Sequence, residues 1–397
     1  MSQPQPEKSE QQEAPVIPEA NSKKNKEKLN ISFDSKLTLG HIYQAHLRAR
    51  KGKTRKRDVI DVDLHPTEYL THILEVLQAG NYKPSEFHQF TVTDPKKRLV
   101  LALPYVDRIV HQWLIEEFIK PYYLPRFIKD SYACIPGRGS HAAVKCIQGY
   151  MRDMRQRQGK YYIVKMDISK YFYNIDRDVL FKILKRAITS PQLLDLLHTI
   201  IFSDEARVGI PIGNYTSQYF ANIYLNEFDQ YCKHNLGVKY YVRYMDDFIL
   251  LASDKQQARQ WYEAIQRYTE SYLHLKLNPK SCFYFSSHGL DFVGYKMTHS
   301  CLRLRQRSKR KLNNIIWDYQ HDYTTEADFV TSVAAWLGHA GHANAKTYIR
   351  KRLWSYRDML LKHWKSAGPR AFFTKKAKSD GKAKTVGGPT ARPSAAV

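Results

Sequence analysis

Residues 241–252 read Y-V-R-Y-M-D-D-F-I-L-L-A, two strand-forming runs with two adjacent carboxylates between them. Apolar runs of strand length separated by so short a tip read as a tight hairpin whose strands are largely buried. The tip then holds Asp246 and Asp247 side by side. Like charges at that spacing repel, and burying either one costs several kcal/mol unless it is paired or binds a cation. Such a tip is either ordinary solvated turn chemistry or a platform for a hard cation, because Mg²⁺ takes carboxylate oxygens together with substrate phosphates. The hairpin alone leaves both readings open.

Three other features favour the cation. Residues 161–168 (Y-Y-I-V-K-M-D-I) have the pattern of a buried strand running into Asp167. If that strand neighbours the hairpin, Asp167 and Asp246 can bridge two metals about 3.5–4 Å apart. A loop rich in glycine and proline, G-I-P-I-G-N at 209–214, precedes a helical pattern from about 216 to 234. The third feature is charge: 63 Lys and Arg face 38 Asp and Glu, a formal +25. An excess of that size attracts polyanions, most commonly nucleic acid, with an affinity that falls steeply with salt. The 28 tyrosines offer rings for base stacking, although most tyrosines pack in cores.

The remaining pattern mixes helix and strand. Val106, Ile109, Val110, Trp113, Leu114 and Phe118 share one face of a helix over 105–119. Helical spacing returns at 177–188 and 256–274. Short strands are expected within 290–304, and helix over most of 308–363. The basic stretch from Arg48 to Arg57 follows a short helical segment. This predicts an α+β core with a helical C-terminal appendage. Residues 1–30 and the basic segment 365–397 have the composition of disordered tails. No apolar run is long enough for a transmembrane helix, and the N-terminus has no apolar signal-like stretch. Cys134, Cys146, Cys232, Cys282 and Cys301 are scattered without a C-x-x-C pair, which fits a reducing cytoplasm. His339 and His342 have no companion ligands nearby and read as packing or RNA contacts.

Taken in order, a set of segments resembles the reverse transcriptases. R-L-V-L-A-L-P-Y-V-D-R-I-V (98–110) and D-S-Y-A-C-I-P-G-R-G-S-H-A-A (130–143) are similar to the family's fingers block and the block after it. V-K-M-D-I-S-K-Y-F-Y-N-I-D (164–176) and Y-M-D-D (244–247) resemble its catalytic aspartate blocks. G-I-P-I-G-N-Y-T-S-Q-Y-F-A-N-I-Y-L (209–225) resembles its nucleotide and template block. L-N-P-K-S (277–281) and F-V-G-Y (292–295) resemble the two blocks that follow the hairpin. The resemblance implies a right-hand polymerase, with fingers and an antiparallel-sheet palm over 31–300 and a helical thumb over 301–364. It implies RNA-directed DNA synthesis on two Mg²⁺ ions, with Mn²⁺ a possible substitute. Asp167, Asp246 and Asp247 match the metal carboxylates, and the Ile168 carbonyl completes one metal's shell. Arg98 matches the grip on the incoming triphosphate, which a guanidinium fork makes bidentately. Phe172 stands at the steric gate against a ribose 2′-OH. Ile212, Gly213 and Gln218 lie in the nucleotide block, Lys280 near the leaving pyrophosphate, and Phe292, Val293, Gly294 and Tyr295 in the primer grip. The implied partners are template RNA, a primer or cDNA strand, and dNTPs, with no membrane.

Within that family, Ile212 replaces the usual glutamine and Ser217-Gln218 a usual Ser-Pro. The form I-G-x-x-x-S-Q, with the stretch 332–350, resembles the reverse transcriptases of diversity-generating retroelements. Those copy a template RNA with errors at adenines and can work with a basic accessory oligomer. Losing a glutamine amide leaves a site that reads shape alone, and shape alone discriminates weakly. Alternatives are a retron, abortive-infection or group II intron-like enzyme, or an RNA-binding protein on an inactive polymerase fold.

Overall fold

The computed structural model describes residues 28–93, 96–364, 370, 372 and 373. The tails expected to be disordered lie almost wholly outside these residues. The chain divides into two compact units between Cys301 and Leu302.

The first unit is organised on a four-stranded antiparallel sheet. Two strands, β1 (His88–Val92) and β2 (Arg98–Ala102), form a separate exposed ribbon. The sheet itself takes β3 (Tyr162–Asp167), β4 (Tyr241–Tyr244), β5 (Asp247–Ala252) and β6 (Cys282–Phe285) in the order β4-β5-β3-β6. The strand ending in Asp167 therefore lies directly beside the hairpin. Side chains alternate across a sheet, and residues paired across strands share a face. Val164 and Met166 of β3 pair with Leu250 and Phe248 of β5, and all four are in the main core. The opposite face carries Lys165 and Asp167, and the register sets Asp247 against Asp167. A final hairpin, β7 (Leu290–Phe292) and β8 (Tyr295–Met297), closes the unit.

Helices supply the rest of the core. Tyr215–Gln230 is the most deeply buried, with Tyr219, Phe220, Ile223, Tyr224 and Phe228 at 2% exposure or less. Lys255–Tyr272 packs on β3, β5 and β6, and Ser140–Gln158 on β4 and β5. The helix expected over 105–119 changes pitch: it is α-helical over Tyr105–Leu114 and π-helical over Ile115–Ile119. The wider turn keeps Ile115, Phe118 and Ile119 buried while Glu117 meets Lys36 and Arg48, each at 3.2 Å. The helix after the glycine loop likewise ends in a π-helical turn, Tyr231–Asn235. The basic stretch from Arg48 to Arg57 connects the helices Leu39–Ala49 and Arg57–Leu64. All five cysteines are free thiols, and no helix among the described residues is long and apolar enough to cross a membrane.

The second unit starts with β9 (Leu302–Leu304) and continues as the helices Gln306–Gln320, Glu326–Ala340, Lys346–Leu353 and Arg357–His363. Leu312, Phe329, Val333, Ile349, Leu353 and Leu360 fill its interior, each 1% exposed or less. Asn344 ties β9 to the helices by exchanging 2.7 Å hydrogen bonds with the backbone of Leu302.

One ion pair inside the first unit carries a full charge on each side with no exposure. Arg243 of β4 and Asp229 of Tyr215–Gln230 are both 0% exposed. The guanidinium donates through Nε and Nη2 to the two carboxylate oxygens at 2.7 and 2.6 Å, a bidentate fork. Its Nη1 donates to Asn222 Oδ1 at 3.2 Å and to the Met245 carbonyl at 3.1 Å. The Tyr241 hydroxyl donates to Asp229 at 2.6 Å. Met245 sits at φ +57°, a left-handed conformation that is uncommon for a residue with a Cβ. Backbone strain of this kind costs about 1–3 kcal/mol and persists only where its surroundings hold it. Arg243→Leu leaves Asp229 charged and unpaired, and should destabilise the first unit by about 3–5 kcal/mol. Chemical denaturation reads this directly; a loss below about 1 kcal/mol would show that the pair is dispensable.

Candidate active site

The two strand ends bring the predicted carboxylates together. The Ile168 N–H donates to the Asp246 carbonyl at 3.3 Å, joining the end of β3 to the hairpin tip. The Asp167 and Asp246 carboxylates are close enough that the charge of Asp167 raises the Asp246 carboxyl. Asp247 begins β5 on the same sheet face as Asp167. The turn before β6 clamps Asp167 from its other side. The Asn278 N–H donates to the Asp167 carbonyl at 2.7 Å, and Asn278 Nδ2 donates to its carboxylate at 2.9 Å. Ser281 Oγ accepts from the Asp167 N–H at 3.1 Å.

Electrostatics at the tip are strained. Burial, and then the neighbouring Asp167 charge, push the Asp246 carboxyl up to about 6. Burial also raises Asp167, against the hydrogen bond from Asn278 and the positive charge of Lys96. Two carboxylates held near each other against their own repulsion are the donor set a hard divalent cation prefers. Among the described residues no three acidic, histidine or cysteine side chains form a ready-made metal cage. Mg²⁺ uses one or two protein carboxylates and completes its shell with water and substrate phosphate. The residues present therefore fit such an ion, with Asp167 and Asp246 as its holders.

The glycine loop joins the other predicted residues. Its Ile210 N–H donates to the Phe172 carbonyl and its Gly209 N–H to the Ile175 carbonyl, both at 2.8 Å. At its other end the Ile212 carbonyl accepts from the Leu101 N–H at 2.8 Å. Gly213, at φ +124°, lies so close to β2 that an added Cβ would stand 2.7 Å from Val100 Cγ1. Only glycine permits that approach. The loop thus spans from the short helix Tyr171–Asn174, which carries half-buried Phe172, to β2, which begins with exposed Arg98. Arg98 and Lys96 both lower the Asp246 carboxyl, so the ribbon's positive end faces the aspartates. Gln218 is exposed on Tyr215–Gln230, and Lys280 is exposed in the clamping turn. Phe292 and Tyr295 are 0% exposed, so only Val293 and Gly294 of that segment stand at the β7–β8 turn, both with positive φ.

Two residues of the site were not singled out in the sequence. Lys96 was signalled only by the run Lys96-Lys97-Arg98 ahead of β2. Asn278 lies in the segment L-N-P-K-S, for which the resemblance implies a role only for Lys280. An asparagine just before a proline is a turn residue able to turn its amide back on the chain, and here it does so onto Asp167.

The raised Asp246 carboxyl has a consequence for stability. A carboxyl whose folded pKa is raised binds its proton more tightly when folded, so ionising it above about pH 6 works against folding. In metal-free protein, Asp246→Asn should be stabilising at pH 8 by about 3 kcal/mol, a gain that shrinks as the pH falls through 6 and vanishes near 4. Thermal melts in chelator across that range test this; a variant that is never more stable than the wild type at pH 8 contradicts it.

The family described as "Reverse transcriptase (RNA-dependent DNA polymerase)" matches residues 89–297, more than half of the chain and all of the elements just described. Protein YkfC of Escherichia coli K12 is 25% identical over 276 residues, covering 59% of this chain and 70% of that protein. The group II intron-encoded protein LtrA of Lactococcus lactis is 25% identical over 203 residues, covering 48% of this chain. The chain spans only 33% of LtrA's length. Among solved structures, telomerase from Candida tropicalis in complex with a telomeric RNA fragment overlaps 70% of this chain and 57% of its own, at 13% identity and a TM-score of 0.45. Telomerase from Candida albicans overlaps 72% and 56%, at 13% identity and a TM-score of 0.43. With its right-hand α+β polymerase fold and a family match across the whole palm sheet, the chain belongs to the reverse transcriptases, the family of RNA-directed DNA polymerases.

Proposed function

We propose that this chain copies a template RNA into cDNA by phosphoryl transfer at Asp167 and Asp246, and that it does so with errors at template adenines, as part of a diversity-generating retroelement. The observation that carries the catalytic part is the register that sets the end of β3 against the hairpin tip, with Asp167 paired to Asp247 and the Ile168 N–H bonded to the Asp246 carbonyl. Burial raises both Asp167 and Asp246 there, and the charge of Asp167 raises Asp246 further. A pair of divalent ions at these carboxylates would lower the pKa of the attacking primer hydroxyl and stabilise the leaving pyrophosphate. The chain's own residues position the reactants. Arg98 and Lys96 meet the triphosphate from the ribbon, and Asn278 orients the Asp167 carboxylate. Phe172 and Ile212, tied to one loop, flank the nucleotide's sugar and base. Asp247 and the Ile168 carbonyl lie beside the metal carboxylates, and Lys280 and Gln218 line the approaches. Val293 and Gly294 offer backbone to a primer, with Phe292 and Tyr295 packed beneath them as the turn's support. The second unit serves as the thumb over 301–364, and 31–300 as fingers and palm. The +25 charge supplies the affinity for RNA and primer.

The error-prone reading rests on Ile212. The loop's backbone is anchored at both ends, which supports a fixed position for Ile212, and in this reading its side chain meets the nascent pair. Isoleucine offers that pair shape and no hydrogen bond. The similarity to LtrA favours a second reading, a group II intron-like enzyme that copies faithfully.

Primer extension on a defined RNA template with Mg²⁺ and dNTPs, followed by sequencing of the products, separates these readings. Wild type should make cDNA with frequent errors at template adenines, and Ile212→Gln should lower them roughly tenfold. Asp246→Ala should abolish synthesis while RNA binding persists. Phe172→Ala should admit ribonucleotides. Faithful cDNA from both wild type and Ile212→Gln would support the intron-like reading, and synthesis by Asp246→Ala would overturn the catalytic assignment.

A further inference from the structure

Beside the loop 209–214 lies a small cavity with about 10 Å³ of room for a water's centre. Its polar lining comes from His111, Ser203, Asn214, Thr216 and Ser217, and the rest is apolar. His111 and Asn214 are 3% and 4% exposed. Each spends one polar atom on a neighbour. His111 Nδ1 lies 2.9 Å from Thr216 Oγ1, and Asn214 Oδ1 accepts from the Leu103 N–H at 3.4 Å. Their other atoms, His111 Nε2 and Asn214 Nδ2, are buried and have no hydrogen-bond partner among the described residues. The Leu103 N–H needs an acceptor, which fixes the amide's orientation and leaves Nδ2 as a donor.

Two buried polar atoms without partners cost about 1–3 kcal/mol each, and native proteins meet such atoms with a side chain or an ordered water. Size and charge select the ligand. A site of roughly 10–15 Å³ on this measure holds one water and nothing larger. No Asp, Glu, Lys or Arg lines the cavity, and burial holds His111 neutral, with its imidazole pushed down to about 3. An ion would have no counter-charge there. Water also serves either histidine tautomer, since it accepts from Nε2–H or donates to bare Nε2 while accepting from Asn214 Nδ2–H.

We propose that this cavity is an internal hydration site, in which one water bridges His111 Nε2 and Asn214 Nδ2 and tethers the loop 209–214 to the helix Tyr105–Leu114. The bridge works at the loop's base, while the backbone bonds to Leu101 and Phe172 hold its span. Its loss should let the loop shift without moving the aspartates. The hydration site stands on its own geometry; its effect on nucleotide binding rests on the function proposed above.

The test is a crystal structure of the full chain at a resolution that shows ordered solvent, with thermal melts and dNTP kinetics of His111→Phe, Asn214→Ala and the double variant. A water within hydrogen-bonding distance of both atoms is expected in the wild type, and none in His111→Phe. The double variant should lose clearly less stability than the sum of the single losses, because both act through one water. The dNTP KM should rise several-fold with kcat largely kept. A dry cavity in the wild type, or single losses that simply add, overturns the hydration site. If the variants do not fold, the wild-type density alone decides. A bound water and non-additive losses with an unchanged KM would uphold the site and overturn the loop's role in nucleotide binding.

Discussion

The fork between Arg243 and Asp229 sits at the centre of the first unit, and what surrounds it depends on both charges being answered. A buried ion pair is weak evidence for stability by itself, since the cost of desolvation rivals the attraction. What it supplies here is position. The guanidinium is shared among Asp229, Asn222 and the Met245 carbonyl, so one side chain ties the central helix to the tip of the hairpin. The backbone of Arg243 also pairs with the segment at Asp130 and Tyr132. Met245 is thereby kept left-handed, and the next residue is Asp246.

From that tip the arrangement follows in short steps. Asp246 meets Ile168 through the backbone and feels the charge of Asp167, and Asn278 hydrogen-bonds the Asp167 carboxylate. Two carboxylates are pressed into a partly buried space where neither ionises easily. Lys96 and Arg98 relieve this only from the edge, on an exposed ribbon. The sheet and its braces therefore store repulsion that a cation would release. The same ribbon is tied to the glycine loop, and the loop to the Phe172 backbone, so the groups proposed to meet a nucleotide are linked by backbone hydrogen bonds to the strand that bears Arg98.

Much of this was legible in the chain because its signals are local. The hairpin, the strand ending at Asp167 and the glycine loop are punctuated by tip residues, β-branched runs and glycines, and the structure has them within a residue or two of expectation. The helices Arg57–Leu64 and Ser140–Gln158 were not foreseen, since the first buries only Val59 and Val62 and the second is interrupted by charges along its length. The π-helical turns were invisible because a one-residue change of pitch hardly alters an apolar periodicity. Asp229 and Arg243 are separated by 14 positions and look like ordinary surface charges in sequence; only the fold removes them from water. The burial of Phe292 and Tyr295 is of the same kind, since a motif names residues without saying which way they face.

The account turns on whether Asp167 and Asp246 together hold a divalent ion. The most direct measurement is anomalous diffraction from crystals of the chain soaked in Mn²⁺, compared with the same soak of Asp246→Asn. An anomalous peak between the two carboxylates, lost in the variant, is the predicted result. Wild-type crystals with no peak at the hairpin tip, even with a primer-template and nucleotide bound, would contradict it.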